Sequence, residues 1–323
     1  MKKFLLLLCC LCLTGCSHTY LERQVYPLCM SVDLSQDGRW QVGLQAPRSD
    51  SGDQTTYDVF SALGDTPRDA LRVLAASIPY PLHFSQLRLC LISYHAAATQ
   101  PLLPLLRQLL ELPGMRPDAA VAVAMGSARE CMQAQKPDFG MRLSTHLTVL
   151  FERLRRERTL PDSALSYCVR ELSDGRSDLL LGLCAINAAV PAFAVGAPWS
   201  DARQPEDLSP GLLPRVGTHP LEFLGAAAVS DGRVSGTLTA RQTQLALRLL
   251  DEAKRTVENG RLCIRTDQPH DEVSSLLSHL QALGSDVLRF GCEASRAFAT
   301  DAAWERAAFR RQYPHLPVLV RNP

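Results

Sequence analysis

The hydrophobic pattern of this chain changes period repeatedly, and each change marks an element. Residues 25–32 and 40–46 read as strands, because two short apolar runs flank the turn dipeptide Asp37-Gly38. A polar stretch at 47–55 leads to a third expected strand at 56–63. Thr66-Pro67 then opens a helix, with a capping hydroxyl followed by proline at the first helical position. Its residues Ala70, Leu71, Val73, Leu74 and Ile78 favour one face. Residues 87–92 form a short continuous apolar run, as a buried strand does. A helix is expected around 102–112, stopped at Pro113-Gly114, and a strand at 119–124. Gly126-Ser127 starts a helical stretch. The helix expected over 141–156 ends in basic residues, as its dipole favours, and a strand follows at 179–186.

Residues 196–219 break this order. They hold Pro198, Pro205, Pro210, Pro214 and three glycines, with neither a helical nor an alternating pattern. Beyond them a hairpin is expected at 222–229 and 233–238, turning at Asp231-Gly232. Thr239 caps a helix carrying Leu245, Leu247, Leu249 and Leu250. A strand at 262–265, helices near 272–283 and 304–311, and a final strand at 316–320 complete the pattern. Trp304 and Phe309 are the expected anchors of the last helix. Hairpin strands mix with strand–helix–strand alternation, so the expected class is α+β, multidomain, with mixed sheets and packed helices. The expected division is a leader at 1–15, an α+β region at 16–195, a linker at 196–219 and a C-terminal α+β domain at 220–323.

The N-terminus has a different character. Lys2 and Lys3 precede ten apolar residues, 4–13, and then Thr14-Gly15-Cys16. That run is too short to span a bilayer as a helix, which takes about 20 residues. Charge, apolar run and small residues in this order make a cleaved signal. Leu13-Thr14-Gly15-Cys16 resembles the lipobox of bacterial lipoproteins, which places a diacylglyceryl group on the Cys16 thiol. Two acyl chains hold a protein at a membrane stably without a basic patch. Of eleven cysteines, Cys9, Cys10 and Cys12 leave with the leader and Cys16 carries lipid. Cys29, Cys90, Cys131, Cys168, Cys184, Cys263 and Cys292 remain, an odd set with no C-x-x-C among them. Most lie in apolar runs, where cysteine acts as a small core residue.

Charge and motifs narrow the function by exclusion. Basic and acidic side chains nearly cancel, 34 against 33, so the whole chain has no field to draw it onto nucleic acid. Gly-x-Ser-x-Gly, a Walker-type loop, GxGxxG and His-Glu-x-x-His are all absent from the sequence. Gly126-Ser127 suits a helix cap better than a nucleophile turn. His270-Asp271 lacks a second ligand at i+3 or i+4, and His83 suits a turn or core position. Arg153, Arg155, Arg156 and Arg158 alternate with acids, as a solvated helix end does. No catalytic, metal or cofactor-binding residue is expected.

Laid out in order, these segments resemble the Ger(x)C family, the lipoprotein C subunits of spore germinant receptors. The lipobox comes first, followed by Ser17-His18 where the family often has Trp-Asp. Leu21-Glu22-Arg23 through Val32-Asp33 is similar to the family's first strand. Gly64-Asp65-Thr66 through Leu71 resembles its helix start, and Leu82-His83-Phe84-Ser85-Gln86-Leu87 its histidine-bearing strand approach. The hairpin from Phe223 through Leu238 and the segment from Ser285 through Gly291 resemble the family's later landmarks, as does the closing Pro317-Val318-Leu319-Val320. Only 34 residues (251–284) separate the Leu-rich helix from the Ser285 segment, so the last domain looks abbreviated.

The resemblance implies a non-enzymatic lipoprotein on the outer face of the spore inner membrane. It would act with polytopic A- and B-type subunits in nutrient sensing, and Cys16 is the one functional position that carries over. The competing class is a solute-binding lipoprotein of a transport system, which needs two similar lobes around a cleft; the halves of this chain are unlike.

Overall fold

The computed structural model describes residues 23–48, 56–135, 137, 140–174, 178–187, 207–213, 215, 219–258, 261–288 and 318–321. The expected leader, Cys16, Cys292, Trp304 and Phe309 lie outside them.

Two hairpins flank a parallel centre. The centre is β1 (Cys29–Leu34), β4 (Leu89–Ser93), β5 (Ala120–Ala124) and β6 (Leu180–Ile186), neighbours in that order and all parallel. On one side β2 (Trp40–Pro47) pairs antiparallel with β1, and β3 (Tyr57–Gly64) with β2. On the other, β7 (Leu221–Ser230) pairs antiparallel with β6, and β8 (Arg233–Leu238) with β7. The result is one eight-stranded mixed sheet in the order β3-β2-β1-β4-β5-β6-β7-β8. A second sheet holds β9 (Lys254–Glu258), β10 (Arg261–Arg265) and β11 (Val318–Arg321), with β10 in the middle.

Both faces of the large sheet are apolar because both are covered. In β4, Cys90 and Ile92 face one side while Leu89 and Leu91 face the other, the period of two that a strand imposes. The Cys90 side packs against α1 (Pro67–Ser77), α2 (Tyr94–Thr99), α3 (Leu102–Leu110) and α6 (Leu165–Asp174). The Leu89 side packs against α4 (Ala128–Ala134) and α5 (Leu143–Arg156). Further along that side, Leu180, Ala226 and Ala228 pack with α7 (Ala240–Asp251), α8 (His270–Ala282) and Ile264 of the small sheet. A continuous apolar run such as 87–92 is what a strand buried on both faces requires.

Local chemistry agrees with the sequence at the helix starts. Thr66 accepts the Asp69 N–H, with Pro67 at the first helical position. Thr239 and Gln242 form a reciprocal capping box. The Asp231-Gly232 turn takes positive φ at both residues, as a tight hairpin of this type demands. Three elements are additional to the sequence reading: α2, α6 and β9. The short α2 is largely alanine, and β9 reads Lys-Arg-Thr-Val-Glu, with no apolar alternation to announce it. The hairpin assigned above to the C-terminal domain lies in the first sheet, because β7 finds its hydrogen-bonding partner in β6.

Candidate functional site

Mixed and parallel sheets present ligand sites at the carboxyl ends of their strands, above all where the strand order switches. Here that point lies between β1 and β4, and a side chain of the protein itself fills it. Asp33, near the end of β1 and buried, accepts the Ala128 N–H at 2.8 Å and the Arg129 N–H at 2.9 Å. These are the first amides of α4, which Ser127 caps by accepting the Glu130 N–H at 3.3 Å. The carboxylate thus occupies the place an external anion would take at a helix start.

Burial pushes the Asp33 carboxyl above its ordinary value and outweighs the two amides and Ser127, which pull it down. The folded chain accordingly takes up this proton at higher pH than the unfolded chain does. The proton-linked part of Asp33's contribution to stability is complete below the unfolded value of 3.8 and is lost as pH rises through the raised folded value, while the bonds to the two amides remain. Wild-type protein should therefore lose ground to Asp33→Asn from about pH 4 upward, read as urea midpoints against pH. Asp33→Ala, which strands both amides, should cost about 2–3 kcal/mol at neutral pH.

A second polar cluster lies where residues 207–213 and Arg215 meet β7. Glu222, with its side chain 1% exposed, pairs with Arg215 Nε at 2.8 Å. Its other oxygen accepts the Gly211 N–H at 2.6 Å and, at 3.4 Å, the Leu213 N–H. Asn187, one residue past β6, donates its amide to Glu222 and, at 2.9 Å, to the Leu213 carbonyl. Beside them His219 lies over His146, with ring centroids 5.3 Å apart, and His219 Nδ1 meets the Leu221 carbonyl at 3.0 Å. An open cavity of about 220 Å³ lies among these groups. Every contact of Glu222 named here ties one stretch of chain to another, which is the work of a latch.

The thiols belong to the core. Cys29, Cys90, Cys131, Cys168, Cys184 and Cys263 are free and buried. Burial pushes Cys90 and Cys168 up to about 12 and Cys29 further still. Cys131 hydrogen-bonds Cys184, which lowers the former and raises the latter. Among the described residues no group of three His, Cys, Asp or Glu is placed to hold a metal ion, and no helix is long and apolar enough to cross a membrane.

The remaining sequence candidates are dispersed. Ser127 is a helix cap. His83 meets Ser85 Oγ at 3.0 Å and sits edge-on to Tyr26. His270 is the exposed first residue of α8. Arg153 pairs with Glu157, Arg155 with Asp162, and Arg158 with Glu252, so three of the four arginines of the basic run are paired at the surface.

The model of the spore germination protein N-terminal domain matches residues 17–186, just over half of the chain. The chain belongs to this family. No curated protein matches it. The crystal structure of the GerBC protein aligns over 91% of this chain and 95% of that one, at 12% identity and a TM-score of 0.37. The family span contains all of β1–β6, Asp33 and α4, and it stops on Ile186, the last residue of β6. Glu222 and its partner strand β7 lie beyond it. Sequence reading missed both Asp33 and Glu222. The one available signal was an acid embedded in an apolar strand, as in Val32-Asp33-Leu34 and Leu221-Glu222-Phe223.

Proposed function

We propose that this chain is the lipid-anchored, non-enzymatic C-type subunit of a spore nutrient germinant receptor, working with polytopic A- and B-type subunits at the outer face of the spore inner membrane. The observation that carries the reading is the family match, which begins at residue 17, directly after the lipobox cysteine. Family membership supports a role in spore germination.

Cys16 is the assigned lipid attachment. Cys16→Ala protein should leave the membrane fraction, or stay as unprocessed precursor, and spores carrying it should respond poorly to nutrient while still germinating with non-nutrient triggers. Processed Cys16→Ala protein retained at wild-type level in membranes would place the anchor elsewhere. Normal nutrient germination of a strain deleted for the chain and its paralogues would defeat the receptor role.

A further inference from the structure

At the opposite end of the parallel strands, under α5, a cavity of about 140 Å³ opens beside the start of β4. Three guanidinium groups line it: Arg88, Arg116 and Arg155. Two of them are already engaged, Arg116 with Asp118 and Arg155 with Asp162. Arg88 is not: its Nε is buried and has no hydrogen-bond partner. Its main chain is fixed, the N–H donating to the Leu28 carbonyl at 2.8 Å and the carbonyl accepting the Ala120 N–H at 2.9 Å. The side chain is therefore anchored from a rigid strand start. Burial and the neighbouring Arg116 charge both disfavour its cationic form, against a weaker pull from Asp118. An anion in the cavity would offset the Arg116 repulsion and give the guanidinium a partner.

We propose that this cavity is a binding site for a small monocarboxylate with a short apolar tail, held by a charge-assisted hydrogen bond to Arg88. Charge selects a monoanion. Arg116 is paired with Asp118 and Arg155 with Asp162, which leaves Arg88 as the lining guanidinium without an ion pair among the described residues. Leu147, Phe151 and Pro161 supply the apolar wall for the tail. Size sets the upper limit, since a cavity of about 150 Å³ holds a molecule as large as benzene. A guanidinium presents its donors in the fork that a carboxylate matches.

The full chain, purified in detergent micelles, should show saturation transfer to propionate in ligand-observed NMR, with half-saturation on the order of millimolar for so few heavy atoms. Acetate should compete less well than butyrate. Chloride at equal ionic strength should leave the signal in place. R88M should abolish it and R88K should weaken it about tenfold, since an ammonium keeps the charge and loses the fork. R72M, which alters an exposed arginine on α1, should leave it unchanged. Should R88M fold poorly, phenylglyoxal labelling of wild type read by mass spectrometry gives the same answer: propionate should protect Arg88 and not Arg72. Absence of transfer in wild type, equal displacement by chloride, retention of the signal in folded R88M, or unprotected Arg88 would each overturn the site.

Discussion

Glu222→Ala should lower the unfolding free energy by about 3–5 kcal/mol, the range for removing one partner of a buried ion pair. The carboxylate joins four groups: the Arg215 guanidinium, the Gly211 and Leu213 N–H groups and the Asn187 amide. Removing it leaves the two backbone N–H donors and an amide without their acceptor beside the sheet. Arg215 is about one-third exposed, so water recovers part of its loss. Arg215→Ala leaves the buried carboxylate its Gly211, Leu213 and Asn187 donors and should cost less than Glu222→Ala, and the double variant should cost less than the sum. A typical domain is stable by only about 5–15 kcal/mol, so Glu222→Ala removes a large share of what there is. Denaturant midpoints for the four proteins of this cycle check the expectation; equal effects of the two single changes would refute the latch.

Gly225→Ala should cost about 2–4 kcal/mol, from strain and collision together. Between the pairs Gly182↔Ala226 and Cys184↔Phe223, β7 advances three residues while β6 advances two. The extra residue is a bulge, and Gly225 takes φ +77° within it, a conformation that costs glycine little. An added Cβ would lie 2.4 Å from the Leu238 carbonyl oxygen, which is main chain and has little room to move. Gly232 shares φ +77° but has no atom within 4 Å of its Cβ position. Gly232→Ala thus meets the strain alone and should cost about 1 kcal/mol. The gap between the two midpoints isolates the collision. The bulge also sets the packing: Leu221 and Phe223 on one side of it and Ala226 and Ala228 on the other all turn to the α5–α7 side of the sheet.

Elements whose local pattern matches their surroundings were readable from the sequence. The capped helix starts at Thr66, Ser127 and Thr239 announce themselves because the cap is a local hydrogen bond. The runs at β4, β5 and β6 are apolar throughout because helices cover both faces, and no other strand environment demands this. Pairing was not readable. Nothing near Leu221 states that its strand joins β6 across residues 188–220, since that choice is made by distant surface needing cover. The same holds for the polar ties. Asp33 meets α4 from 95 residues away, and Arg88 Nε lacks a hydrogen-bond partner only because of what folds around it. Cys16, by contrast, is proposed from a contiguous four-residue signal, Leu13-Thr14-Gly15-Cys16.

The place where the family span ends has a practical consequence. It stops on β6, whose outer edge in the intact chain is zipped to β7. A fragment cut at residue 186 would carry a strand apolar on both faces with a bare row of amides and carbonyls along one side, the arrangement that templates chain-to-chain association. Restoring β7 pairs that edge, but α7 and α8 are also needed to cover Leu180, Ala226 and Ala228, so the matched sequence unit is shorter than the unit that buries its own apolar faces.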